Sequence, residues 1–194
     1  PGQVVDIAIY ESMYNLMESV VPEYVATGDV RGPSGSTITG IVPTNTYLCA
    51  DNKYVVIGGN GDSIYKRLMH AAGYSELAED PRMADNAGRV EHEQTIDQAL
   101  AAWTSSISST EVLRILAEAD VPSGPMYSVE DMLADPQYQA RGMFEEVQAG
   151  DKTVTIPAIM PRLSSTPGQT RWAGPGAVGD DTDSTYAELG LSRD

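Results

Sequence analysis

Apolar and polar positions along the chain change period several times, and each change marks an element. Gln3 to Ile9 is a β-branched, apolar run that predicts a buried strand. Val5, Ile9, Met13, Leu16 and Val20 then recur at steps of four, four, three and four, the spacing of one helical face. Pro22 and Gly28 mark its end, so residues 3–27 read as strand then helix. Residues 28–46 have no period and hold four glycines and two prolines, which predicts a loop. Tyr47–Ala50 and Tyr54–Gly58 flank the turn-forming triplet Asp51-Asn52-Lys53 and read as a hairpin, with Cys49 on a strand.

Helical spacing then dominates. One helix starts at Gly61-Asp62-Ser63, turns Ile64, Leu68 and Met69 inward and stops at Gly73. A second carries Ile96, Leu100 and Trp103. A third opens on Ser108-x-x-Glu111, buries Val112, Leu113 and Leu116, and ends at Val121-Pro122. Ser128 to Asp131 opens a short helix that Asp135-Pro136 halts. Phe144–Val147 and Thr153–Ile156 form a second hairpin candidate across Ala149-Gly150-Asp151. Residues 161–182, rich in proline and glycine, predict an extended surface strap. Thr182 or Asp183 then caps a closing helix through Tyr186 and Leu189, with Gly190 behind it.

Composition narrows the function classes. The 194 residues are 41% hydrophobic and 21% charged, the balance of a globular chain with a packed core. Twelve Lys and Arg against 28 Asp and Glu leave a formal charge of −16, which repels phosphate backbones and anionic headgroups. Nucleic acid and membrane surfaces are therefore not expected partners. One cysteine excludes an internal disulfide and fits a reducing, cytoplasmic location.

The candidate chemistry is sparse. His70, near a helix C-terminus, and His92, between two glutamates, are the only histidines, and no HxxxH, CxxC or HExxH occurs. No metal site and no Ser-His-Asp set is expected. The acidic run Asp180-Asp181-Thr182-Asp183 lacks the glycine and closing glutamate of an EF-hand and reads as a helix start. Gly58-Gly59-Asn60-Gly61 lies between strand and helix, but without GxGxxG spacing or a P-loop lysine it reads as a plain turn. The stretch Gly32-Pro33-Ser34-Gly35-Ser36-Thr37-Ile38-Thr39-Gly40 is built of small residues that can approach a ligand closely. It reads either as a gate over a site or as a surface connection.

Taken in order, several short patterns resemble the C-terminal half of a family III CoA-transferase, the family of formyl-CoA and carnitine CoA-transferases. They include Gly2-Gln3-Val4-Val5-Asp6, Arg31-Gly32 with Gly35-Ser36, and Pro43-Thr44-Asn45-Thr46-Tyr47. Asp51 to Ile57, Asp80-Pro81-Arg82 with Asn86 and Arg89, and Ala119-Asp120-Val121-Pro122 continue the series. Asp135-Pro136-Gln137 with Ala140 to Phe144, Leu163-Ser164 with Thr166-Pro167-Gly168, and Glu188 to Leu191 complete it.

The resemblance implies an α/β fold: a small α/β domain, residues 41–126, between segments 1–40 and 127–194 that return to a Rossmann-like large domain. It implies interlocked homodimers when full length. It also implies CoA transfer from an acyl-CoA to a carboxylic acid, through an enzyme-aspartyl anhydride and then an aspartyl-CoA thioester. CoA enters as substrate thioester, and no cofactor is implied. The reacting aspartate of the family lies upstream of the Gly-Gln-x-Val-Asp segment, so no catalytic residue is assigned here and Asp6 is not the nucleophile. The chain, which starts at Pro1, is accordingly expected to be a fragment that needs the N-terminal half of the same enzyme and is inactive alone. That other half is expected to supply most cations for the CoA phosphates.

In formyl-CoA transferase a glycine-rich loop covers the reacting acyl group, and its place here corresponds to Gly35-Ser36-Thr37-Ile38-Thr39-Gly40. Gly35, Ser36, Thr37 and Gly40 are thus the candidate lid residues. Arg141 is the second candidate for the substrate side, with a structural ion pair as its alternative role. Two other functions stay open at this point: an α-methylacyl-CoA racemase of the same superfamily, and a non-catalytic CoA-binding or assembly module.

Overall fold

A computed structural model of the protein describes residues 4, 6–174 and 176–191. The chain divides into two compact units, one ending at Met126 and the other beginning at Tyr127.

The first unit opens with two short helices, α1 (Ile9–Asn15) and α2 (Val20–Thr27). Here the structure corrects two expectations. Residues 1–3 and 5 lie outside the described residues, and Val4 and Asp6 to Ala8 form no strand; Ile9 already starts α1. A β-branched run becomes a strand only where a partner strand takes up its backbone groups, and none lies beside it among the described residues. The single helical face is also broken, because Glu18 adopts φ +46° and turns the chain between α1 and α2. The Glu11 carboxylate accepts from the Ala8 N–H and holds the start of α1. Neither helix buries a residue.

The core of this unit lies between a three-stranded antiparallel sheet and a helical layer. Strands β1 (Thr44–Leu48) and β2 (Tyr54–Gly58) pair as the expected hairpin, Thr44 opposite Gly58 and Leu48 opposite Tyr54. Asn52 takes the left-handed φ of +60° at its turn. A third strand, β3 (Ser123–Pro125), joins the far edge of β2. It has no alternating apolar pattern, so periodicity could not show it. Along β2 the two-residue period buries Val55 and Ile57 and exposes Tyr54 and Val56.

Five helices follow β2: α3 (Asp62–Ala71), α4 (Ser75–Ala78), α5 (Asn86–Glu91), α6 (Glu93–Thr104) and α7 (Ser109–Glu118). A 3-10 turn, Pro81–Met83, separates α4 from α5. Tyr65, Leu68, Met69, Ile96, Leu100, Val112 and Leu116 close over Val42, Tyr47, Val55 and Ile57 in one cluster. Hydrogen bonds pin the layers together. Thr104 Oγ1, fully buried, donates to the Leu48 carbonyl at 3.0 Å. Ser109 donates to the Asp51 carboxylate from Oγ at 2.7 Å and from its backbone N–H at 3.2 Å, and this holds the Asp51 carboxyl below its ordinary range. Cys49 sits just beyond β1 rather than within it, buried, its thiol pushed up by desolvation and then by Asp51.

The second unit begins with α8 (Val129–Ala134), capped as expected by a reciprocal Ser128–Asp131 box. Asp135 ends α8 and at once caps a further helix, α9 (Pro136–Ala140), accepting from the Gln137 and Tyr138 N–H groups. The expected halt at Asp135-Pro136 holds, and the separate helix that follows it at once was not expected. Proline suits the first position of a helix because its missing N–H would have no partner there.

Strands β4 (Phe144–Ala149) and β5 (Lys152–Pro157) form the second hairpin around Gly150 and Asp151. The strap beyond it has no helix or strand among the described residues, and Thr170 docks it on β4 by donating to the Glu145 carboxylate. Helix α10 (Thr182–Glu188) closes the chain; Asp181 stands at its N-cap, one residue before the positions expected.

Candidate functional site: a doubly anchored loop

The stretch 32–40 runs between two anchors. At its start, Arg31 reaches back to the α2 carboxylate of Glu23, donating from Nε at 2.9 Å and also from Nη2. Nη2 further reaches Ser19 Oγ at 3.2 Å.

At its end, Asn86 grips the backbone on both sides of Ile41. Its Oδ1 accepts from the Val42 N–H at 3.2 Å, and its Nδ2 donates to the Gly40 carbonyl at 2.8 Å. Asp85 caps α5 by accepting from the Gly88 N–H, which fixes the first turn that presents Asn86.

One turn further along α5, Arg89 is completely buried. Its guanidinium donates to the carbonyls of Val42 (3.0 Å), Asn60 (2.6 Å) and Met83 (3.3 Å), and to the Asp62 carboxylate (2.8 Å). It also lies 5.1 Å from the centre of the Tyr65 ring. A buried cation is tolerated only when its donors are taken up, and here four acceptors and a ring face do so. Arg89 thus ties the exit of the loop to the β2–α3 turn and to the 3-10 turn.

Between the anchors the loop is two successive turns. Ser34 Oγ donates to the Thr37 carbonyl (3.0 Å) and Thr37 Oγ1 to the Ser34 carbonyl (2.9 Å), closing the first around Gly35. The second runs from Ile38 to Ile41, whose N–H donates to the Ile38 carbonyl at 3.1 Å. Gly35 (φ +65°) and Gly40 (φ +80°) take the left-handed conformation these turns need, and a Cβ on either would meet open space. Glycine is required there by backbone angle, not by crowding. The loop is therefore short of a flexible polyglycine run: it is exposed, small in bulk and internally hydrogen-bonded.

Ser36 seats the loop on β1. Its hydroxyl donates to Asn45 Oδ1 (2.6 Å) and accepts from Thr46 Oγ1 (2.8 Å). Asn45 Nδ2 in turn donates to Asp97 Oδ2 (3.1 Å), whose other oxygen accepts from the Tyr47 hydroxyl (2.5 Å). Burial, followed by the hydrogen bond to Asp97, pushes the Tyr47 phenol far up, so it stays a donor.

Of the sequence candidates, Gly35, Ser36, Thr37 and Gly40 lie together in this loop. Arg141 belongs to the second unit, exposed, at the C-cap of α9, with no ion pair or hydrogen bond to its guanidinium among the described residues. Nearby, Arg162 donates to the Gly142 carbonyl at 2.9 Å.

Asn45, Asn86, Arg89 and Asp97 carry the seat and were not singled out for it from the sequence. Positions 93, 97, 100 and 104 share one helical stripe, so an aspartate beside the buried Leu100 and Thr104 was the available signal. Among the described residues no three His, Cys, Asp or Glu side chains gather as metal ligands. His70 sits in the last turn of α3 between Ser75 Oγ and Glu79 Oε1, and His92 lies against the Gly88 carbonyl.

A model of CoA-transferase family III matches residues 1–182. The chain belongs to that family. It is 40% identical, over 195 aligned residues that take in the whole chain, to the succinyl-CoA–D-citramalate CoA-transferase of Chloroflexus aurantiacus. It is 33% identical over 97% of its length to the alpha subunit of the succinyl-CoA–L-malate CoA-transferase of the same species. Among solved structures, a CAIB/BAIF family protein from Brucella suis superposes with a TM-score of 0.75 at 29% identity over 97% of this chain.

The chain spans about half the length of the relatives it matches: 48%, 44% and 48% of these three. No helix among the described residues is long and apolar enough to cross a membrane.

Proposed function

We propose that this chain takes part in CoA exchange between a dicarboxylic acyl-CoA of the succinyl type and a carboxylic acid, as the part of the enzyme that covers the reacting acyl group. The observation that carries the reading is the 40% identity to a succinyl-CoA-dependent transferase along the whole chain, which includes the anchored loop. The attacking carboxylate comes from a segment outside this chain. Its oxygen adds to the thioester carbonyl, the C–S bond breaks and CoA leaves as thiolate. That thiolate then attacks the aspartyl carbonyl of the anhydride to release the free acid. The acceptor acid runs the two steps in reverse.

Each intermediate is lost if water reaches it, so a close-fitting cover of small residues raises transfer over hydrolysis. In this reading residues 41–126 are the small domain, and segments 1–40 and 127–194 belong with a Rossmann-like large domain. The assembled enzyme is a cytoplasmic homodimer, and Arg141 adds one cation to the CoA side.

The test is a thioester assay by chromatography with succinyl-CoA and D-citramalate. The chain is supplied alone and with the remaining half of the Chloroflexus relative. Citramalyl-CoA is expected only from the combination. Turnover by the chain alone overturns the placement of the carboxylate. Deuterium incorporation into a 2-methylacyl-CoA without CoA transfer identifies a racemase instead, and CoA binding with neither reaction identifies a binding module.

A further inference from the structure

The seat of the loop has a direction built into it. Asn45 Oδ1 accepts from the Ser36 hydroxyl at 2.6 Å and from the Thr46 N–H at 2.7 Å, so the sheet backbone already turns the amide oxygen toward the loop. The Asp97 carboxylate fastens the other end of the same amide. It stands 3.1 Å from Asn45 Nδ2 and can only accept, so it holds the NH2 end on its own side and the oxygen toward Ser36. The Tyr47 hydroxyl fixes that carboxylate in turn from the sheet, 2.5 Å from its other oxygen.

We propose that Asp97, acting through Asn45, is a positioning residue for the covering loop: it steadies the acceptor that holds Ser36, and so raises the share of time the cover is seated. This rests on the loop being the cover described above. Two exposed neutral hydrogen bonds, Ser36 to Asn45 and Thr46 to Ser36, favour the seated state by about tenfold to a hundredfold. That bias keeps water out while the acyl group reacts and still lets the loop lift for substrate exchange.

The measurement is backbone 15N relaxation on the chain as it stands, with no substrate. Amides of Gly35, Ser36 and Thr37 are expected to show order parameters of about 0.85 in the native protein, falling below about 0.6 in Ser36→Ala. Ser36→Thr, which keeps the hydroxyl, restores them.

Asp97→Ala leaves the Asn45 NH2 without its acceptor and is expected to loosen the loop in the direction of Ser36→Ala. Asp97→Asn, whose oxygen can accept from Asn45 Nδ2 while its NH2 donates to the Tyr47 oxygen, is expected to keep it seated. In the double variant the loop is no more mobile than in Ser36→Ala alone, because both changes cut the same link. A merely structural role for Asp97 predicts additive effects instead. Unchanged order at Gly35–Thr37 in Ser36→Ala, or additivity in the double variant, overturns the proposal. If Asp97→Ala fails to fold, Asn45→Ala takes its place in the same comparison. Because the readout needs no turnover, a failed latch and a failed CoA-transfer reading give separate results.

Discussion

Asp80 caps the 3-10 turn by accepting from the Arg82 N–H at 2.9 Å, while the Arg82 guanidinium closes on the same carboxylate. The Arg82 side chain first, and its N–H second, pull the Asp80 carboxyl down to about 2. A carboxyl held below its unfolded value of about 4 stabilises the fold above that pH, and the contribution disappears as the pH falls toward 2. Asp80→Asn keeps a capping oxygen and removes only the charge. Thermal melting is expected to show the variant below the native protein at pH 5 to 7, with the gap closing between pH 4 and 2. A gap that stays constant over that range contradicts the pairing.

At this scale the sequence was partly readable. Short polar residues before helices announced caps, and the small residues of 35–40 announced a loop, whose left-handed turns at Gly35 and Gly40 only the structure shows. Arg89 illustrates the rest: an arginine reads as surface by type, and only four carbonyl and carboxylate acceptors drawn from distant segments make its burial possible.

Helix α7 shows what an element owes to its ends. Ser108 Oγ accepts from the Glu111 N–H at 3.3 Å, and the face behind the cap buries Val112 and Leu116. Loss of the cap in Ser108→Ala is expected to cost about 1 kcal/mol. Urea unfolding should show this as a lower midpoint at an unchanged slope, with Ser108→Asp restoring it. Elements with a strong period or cap emerged from the sequence in the right places: β2, α3, α6, α7, α8 and the β4–β5 hairpin, while β1 begins three residues before the expected Tyr47 and ends at Leu48. Those that failed lacked a local cause. β3 is three residues long and exists because the edge of β2 offers unpaired groups, and the apolar run at 3–9 has no such edge beside its described residues.

On the scale of the whole molecule, the helical layer that buries the sheet contrasts with α1 and α2, which bury nothing. Ile9, Tyr10, Met13, Tyr14 and Met17 line an open apolar trough of about 860 Å³, and Ile9 is 87% exposed. Contiguous apolar surface of this kind marks a place where something else packs. The native chain is expected to enhance the fluorescence of 1-anilinonaphthalene-8-sulfonate, and Met13→Glu to reduce that enhancement by more than half without changing the melting temperature of the core. Enhancement equal in both places the dye elsewhere.

The order of short motifs along the chain gave a family resemblance that the family match bears out. Turn residues, caps and apolar periods, which act locally and leave their signature in adjacent positions, gave the mixed α/β elements. The same local rules exposed the loop at 32–40. What holds that loop was decided by folding alone. Asn86 and Arg89 meet Gly40 and Val42 across more than forty residues, and Asp97 meets Asn45 across 52, since side-chain hydrogen bonds depend on which groups the packed core brings within 3 Å. No spacing in the chain encodes those distances.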